Sequence, residues 1–476
     1  MGRPDALRPL EATFLHLESG SPIAIGTVAI FEGAPLRDSD GHLDIDHLRA
    51  HIEGRLDLAP KLRRRVRRAV LPGAPPVWID DPGFAIANHV TGASLDAPGT
   101  MAQLLELAAD LFSTPLDPNR PLWNLHFVDG LEGDRVGLVE RIHHALADGL
   151  AGVEMATVLL DVEPMANRSE PPGPEIPAWE PVAGPWVGLA VVHDLVRLQE
   201  IGWRWVGRGL RAGRHPLRTV RAAARLGGAV TALAGTGLGR APTSLNRPIG
   251  GRRQVAVVRQ PMAAFADIAG AFDVTLNDVV LTIVGGAVAR LLDGRGERRP
   301  SEVQVLVPVG LEATERHGLG NQVSAWLVKI PVGTDDPVGR LSAVAEATGG
   351  ARTHHEELAV EALLDLVAPL PQPLVAGAAR LVEHQPIVNL IVTNVPGPPF
   401  PLYVLGARMV EAYPFVPVAG NLTLGVAILS YDGSLSLGVL ADATTCPDIE
   451  AFGHGIDEEV AALGAVVGPR IRRMPA

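Results

Sequence analysis

A single cysteine, Cys446, is all that 476 residues contain, so no disulfide can form within the chain and no thiolate metal cluster can be built. That usage suits a reducing, cytoplasmic setting. A basic excess is also missing: the formal net charge is −12, which excludes a general nucleic-acid binder, because neutralising phosphates takes a surplus of Lys and Arg. The first residues, MGRPDALRPLEATF, lack the apolar core of a secretory signal, and Ala6 stands where a myristoylation signal needs Ser or Thr. Two uncharged runs, 385–407 and 412–431, reach the length of a membrane span. Pro396, Pro398, Pro399 and Pro401 would break a spanning helix, so both runs read as buried strands and turns. No repeat of solenoid length is visible, and no phosphate-binding loop is present; Gly235, Gly237 and Gly239 do not follow a strand.

What remains is a globular composition, 47% apolar and 20% charged, on a chain long enough for two cores. Segments 23–31 and 135–142 are short, β-branched and bounded by turn residues, which predicts strands, while 43–56 and 101–112 carry apolar residues at helical spacing. Residues 163–185 are rich in Pro and Glu and read as a linker. The next stretch, 186–240, reads as one or two amphipathic helices with Trp203 and Trp205, and between Arg197 and Arg240 it holds nine arginines against the single acid Glu200. It can lie on an anionic membrane surface or bridge the domains as a solvated helix. From 252 onward strands and helices alternate again: strands at 254–260, 302–309, 323–332, 387–395, 422–431 and 434–441, helices at 263–272 and 276–292. The division expected is therefore an N-terminal domain 1–165, linker and basic helices 166–250, and a C-terminal domain 251–476, in an α/β layered fold.

The sharpest local signal is His143-His144-Ala145-Leu146-Ala147-Asp148-Gly149, placed after a predicted strand and before a helical run. A strand-to-helix turn holds side chains rigidly and leaves them accessible. An imidazole there can take the proton of an attacking alcohol near neutral pH, and its conjugate acid can return a proton to a leaving group. Asp148 can act on the ring or fix the loop, and Gly149 permits a tight turn. The alternatives are a plain surface turn or helix cap, and a metal site; adjacent side chains diverge and no third histidine follows at zinc spacing, so no metal is expected. His354-His355-Glu356-Glu357 reads as a solvated helical face.

HHALADG resembles the HHxxxDG motif of acyl-CoA-dependent acyltransferases, and its surroundings are similar to the bacterial wax ester synthase/diacylglycerol acyltransferase family. PLEATFLHLES, FAIANHV at 84–90, RPLWNLHFVDGL at 120–131, LNRPIGGRR from Leu245, LNDVVL from Leu276, LGNQVS from Leu319, TNVPGPP from Thr393 and YPFVPVAGNLTLGVAILSYDG from Tyr413 resemble family segments in the family's order. The resemblance implies two chloramphenicol-acetyltransferase-like domains with an active-site channel at their interface. It implies long-chain acyl-CoA as co-substrate, no further cofactor, and diacylglycerol or a fatty alcohol as acceptor, while the linker and basic helices suggest peripheral contact with a membrane or lipid droplet. It also implies His144 as general base beside His143, with Asp148 in an orienting role. Asn277 and Asp278 match a segment near the active site, where Asn277 can donate to an oxyanion or cap the helix. Pro121, Leu122 and Trp123 match the PLW motif, with Trp123 lining the channel or filling core. Asn394 and Gly397 suit a tight turn at the domain interface. A condensation-type acyltransferase fed by a carrier protein, or a lipid-binding homologue without turnover, shares the same central motif.

Overall fold

A computed structural model describes residues 5–7, 9–18, 21–71, 74–146, 155–156, 158–164, 191, 194–196, 199, 243–310, 323–353, 385 and 388–471. Nearly all of the linker and of the basic segment, Asp148, Gly149, Gly235, Gly237, Gly239 and 354–357 lie outside the described residues.

Two six-stranded mixed sheets carry the fold. In the first, β2 (Ala24–Glu32), β7 (Arg135–His143) and β6 (Trp123–Leu131) form the antiparallel centre, and β5 (Val90–Ser94) joins β6 in parallel. The second is built from β8 (Arg253–Pro261), β9 (Glu302–Gly310), β10 (Val323–Pro331), β11 (Leu390–Pro396), β14 (Leu424–Tyr431) and β15 (Ser434–Asp442), in the order β10-β9-β11-β14-β15-β8. A small sheet of β1 (Asp5–Ala6), β4 (Val77–Asp80) and β3 (Arg64–Arg67) sits apart.

Alternation along the strands sorts the cores. On β7, Leu138 and Ile142 face a cluster shared with Leu48 and Ile52 of α2 (Ile45–Glu53), whereas Val139 faces Leu104, Ala108 and Phe112 of α3 (Met101–Ser113). A third cluster packs one face of the second sheet beneath α4 (Met262–Phe272), α5 (Leu276–Gly294), α6 (Pro337–Thr353) and α7 (Ile449–Ile471). α5 is buried on nearly every side, which is why its sequence reads as an almost continuous apolar run. Glu459 of α7 meets it, bonded to Arg290 and Arg340, and a Cβ on Gly286 would collide with that carboxyl at 2.1 Å. Glycine is what lets these two helices approach.

The division expected from the linker fails in one place. β12 (Tyr403–Val404) and β13 (Ala407–Phe415) lie within 251–476, yet β13 pairs with β2 and completes the N-terminal sheet. Pairing partners distant in the chain leave no local signal, so composition could not reveal the crossing. Among the described residues both uncharged runs fold as strands and turns, and no single helix is long and apolar enough to cross a membrane. Asn394 lies inside β11, opposite Ile428, rather than in a turn; Gly397 follows the strand, where a Cβ would meet the Ser430 carbonyl at 2.3 Å.

Candidate active site

β7 delivers the two histidines to the end of the central sheet. His143 donates its backbone N–H to the Leu122 carbonyl on one side (2.9 Å), and His144 donates to the Ile23 carbonyl on the other (3.0 Å). The residues preceding β6 and β2 thus hold the motif in extended register, and the Leu146 N–H to the His143 carbonyl starts the turn (2.9 Å).

The two rings differ in every respect. His143 is fully buried, and its Nδ1 accepts the Ala145 N–H at 2.9 Å, so in the neutral ring the proton sits on Nε2. That nitrogen lies 3.2 Å from the Glu18 carboxylate, close in space though off the line of a hydrogen bond. His143 is therefore a fixed support. The His144 ring lies flat against Phe14, with centroids 3.9 Å apart and planes 19° from parallel. Its Nδ1 is buried and has no hydrogen-bond partner among the described residues. Burial pushes its pKa down to about 4; the ring's contact with its own backbone carbonyl opposes this, and neighbouring His143 adds a smaller push downward. The His144 ring is thus held in its uncharged form.

Phe14 and Glu18 both come from α1 (Pro9–Leu17) and the turn that ends it, where the Glu18 N–H still donates to the Phe14 carbonyl at 3.1 Å. Four residues apart, they share one helical face and close over the histidine pair. Neither stood out in the sequence; their spacing within PLEATFLHLES was the signal available.

Trp123 is core. Its side chain is buried, its Nε1 donates to the Leu62 carbonyl at 2.7 Å, and its ring stacks on His89 at 4.6 Å, which in turn stacks on Phe84 at 5.1 Å. Asp278 serves the helix it begins: one carboxylate oxygen accepts from the Thr275 N–H and hydroxyl, and the other accepts from the Thr348 hydroxyl at 2.6 Å. Thr275 is therefore the cap of α5, in a reciprocal box with Asp278, and Asn277 is not. Relieved of that task, Asn277 is half-buried and its carboxamide makes no hydrogen bond among the described residues. Among those residues no three His, Cys, Asp or Glu side chains converge as metal ligands would.

The profile of the wax ester synthase/diacylglycerol acyltransferase catalytic domain matches residues 7–280, and that of the WS/DGAT C-terminal domain matches 319–464. This chain belongs to that family. A probable diacylglycerol O-acyltransferase of Mycobacterium tuberculosis is 31% identical over 473 residues, covering 97% of this chain and 96% of the relative. A putative diacylglycerol O-acyltransferase of Mycobacterium bovis is equally similar. Among solved structures, the wax ester synthase/diacylglycerol acyltransferase of Marinobacter aquaeolei VT8 aligns with a TM-score of 0.69 at 21% identity, over 98% of this chain and all of that one. The first condensation domain of the CDA synthetase aligns over 98% of this chain and 96% of its own at a TM-score of 0.58 and 16% identity, a relationship of fold alone. The carrier-fed reading has no closer support than that, and this WS/DGAT chain is an acyltransferase of the lipid type.

Proposed function

We propose that this enzyme moves a long-chain acyl group from acyl-CoA to the hydroxyl of diacylglycerol or a fatty alcohol, giving triacylglycerol or wax ester, with His144 as general base. The observation that carries the reading is the neutral, enclosed imidazole of His144 at the end of β7, laid against Phe14. An alcohol within hydrogen-bond reach loses its proton to Nε2 as its oxygen attacks the thioester carbon. The C=O electron pair moves onto oxygen, and the unengaged carboxamide of Asn277 is the donor we assign to that oxyanion. Collapse of the adduct breaks the C–S bond, and the imidazolium returns its proton to the departing thiolate. His143, fixed between Ala145 and Glu18, keeps the strand end rigid. Asp148 takes the orienting role that family resemblance gives it.

No cofactor beyond acyl-CoA is needed for this sequence of bond changes. The arginine-rich stretch 197–240 supports a cytoplasmic protein resting on a membrane or lipid droplet, which suits insoluble substrates. Incubation with labelled palmitoyl-CoA and either hexadecanol or dioleoylglycerol, followed by lipid chromatography, tests the reaction: labelled neutral lipid supports it, and free fatty acid as the sole product refutes it. Flotation with anionic liposomes at low salt tests the membrane contact.

A further inference from the structure

A buried ion pair lies where the second sheet meets residues of the first half of the chain, and the mechanism above does not use it. Arg253 opens β8 and Asp442 ends β15. The two stand directly opposite each other in that antiparallel pair, with Nη1 3.6 Å from the carboxylate and neither side chain exposed. The carboxylate is fixed by donors of its own half: the Gly250 N–H at 2.7 Å on one oxygen, and the Thr445 N–H and hydroxyl, both at 2.9 Å, on the other. The guanidinium donates to the Gly250 carbonyl at 2.8 Å and, through Nη2, to the hydroxyl of Ser21.

Ser21 is the point at which the second half grips the residues that flank the histidines. Its hydroxyl accepts from Arg253 and donates to the Val418 carbonyl, between β13 and β14, at 3.2 Å. Its N–H donates to the Glu18 carbonyl at 3.3 Å, and the Glu18 carboxylate lies 3.2 Å from His143 Nε2. Two residues beyond Ser21, the Ile23 carbonyl holds the His144 N–H at 3.0 Å. An apolar contact makes the same link independently. Leu17 and Ile23 form a small cluster with Phe14 and Ala419, and Phe14 is the ring stacked on His144. Polar and apolar attachments alike therefore run from the second half to the residues that touch the histidine pair.

Such a pair is a poor source of stability. Taking two charges out of water offsets most of their attraction, and Arg253 Nε has no hydrogen-bond partner among the described residues. What the pair does supply is direction. A carboxylate held on both oxygens leaves the guanidinium little freedom, and a hydroxyl that accepts from arginine must turn its own proton elsewhere, here to Val418. We propose that Arg253, aimed by Asp442, is a positioning residue for acyl transfer: through Ser21 it sets the placement of Glu18 and Ile23, and with them of His143 and His144. The inference rests on the reading of His144 as the base.

Ester synthesis from palmitoyl-CoA and hexadecanol, measured beside melting curves, tests this on the full chain. Ser21→Ala removes only the relaying hydroxyl. Arg253→Met combined with Asp442→Asn removes both charges, so that neither is left unpaired. Thr348→Val is the control, because it deletes a buried hydroxyl bond of the same kind between α6 and α5. Ser21→Ala and the Arg253/Asp442 double variant are each expected to lower kcat about 10- to 100-fold, with KM for both substrates unchanged. Combining all these changes should lower it no further, since they break one chain of contacts. Thr348→Val should keep native kcat whatever it loses in melting temperature. Native kcat in Ser21→Ala overturns the proposal, as does full additivity of the Ser21 and Arg253/Asp442 changes. So does a kcat loss that Thr348→Val reproduces at an equal drop in melting temperature. Near-native turnover in His144→Ala instead refutes the reading of the base, and absence of any ester from the native enzyme refutes acyl transfer itself.

Discussion

Phe14 covers one face of the His144 ring at a centroid distance of 3.9 Å, so the apolar surface that desolvates the proposed base comes from α1. Removing water from one side of an imidazole favours its uncharged form, the form that accepts a proton.

Replacing that base should stop turnover. His144→Ala is expected to lower kcat by about 10²- to 10⁴-fold, with the thermal midpoint no lower than that of the native enzyme by more than a few degrees. Radiolabelled ester formation and a melting curve on the same preparation check both halves; near-native turnover would remove His144 from its role.

The acid side of the pH profile reports the environment of that ring. A proton blocks the base, and burial holds its pKa near 4 instead of the ordinary 6.5, so kcat/KM should persist below pH 6.5 and fall as pH approaches about 4. In Phe14→Ala, water reaches the ring, its pKa rises and the activity loss should move to higher pH. The same shift affects folding. The unfolded chain binds this proton at pH 6.5 and the folded one only near 4, so the contribution to stability is complete above 6.5 and declines as pH falls through that window. Initial rates across pH 4 to 8 for both proteins decide the matter; coincident profiles would contradict it.

Asp278 is expected to matter for stability. Asp278→Ala removes the reciprocal cap of α5 and the acceptor of the Thr348 hydroxyl, and should cost about 2 to 4 kcal/mol. Asp278→Asn, which keeps an oxygen for capping, should recover part of that. Denaturant titration of the three proteins makes the comparison.

Trp123→Phe should act on the core. Loss of the Nε1 bond to the Leu62 carbonyl leaves that acceptor buried without a partner, costing about 1 to 3 kcal/mol, and kcat of the folded enzyme should fall far less than in His144→Ala. A collapse of kcat at unchanged melting temperature would move Trp123 from core to channel.

Much of this was legible in the chain because the signals are local. Segment 135–142 alternates and is bounded, and it forms β7; 101–112 has helical spacing and forms α3; 276–292 is apolar throughout and forms α5. His143 and His144 stood out through their chemistry. What stayed hidden depends on contacts between distant residues. Nothing near Glu18 announces that it faces His143. Asn277 was a plausible cap by residue type, but the cap went to Thr275, two positions earlier, because Asp278 could return the bond. The α6 and α7 helices were missed as well; glycines and polar residues interrupt the apolar spacing in both.

The hairpin of β12 and β13 has one more consequence, for biosynthesis. Until residue 415 has left the ribosome, β2 presents a bare row of backbone donors and acceptors along the edge of a hydrophobic sheet. A fragment ending at the linker would keep that edge permanently and stick to its own copies. The sheet that carries His144 is therefore completed late, after most of the second half has been made.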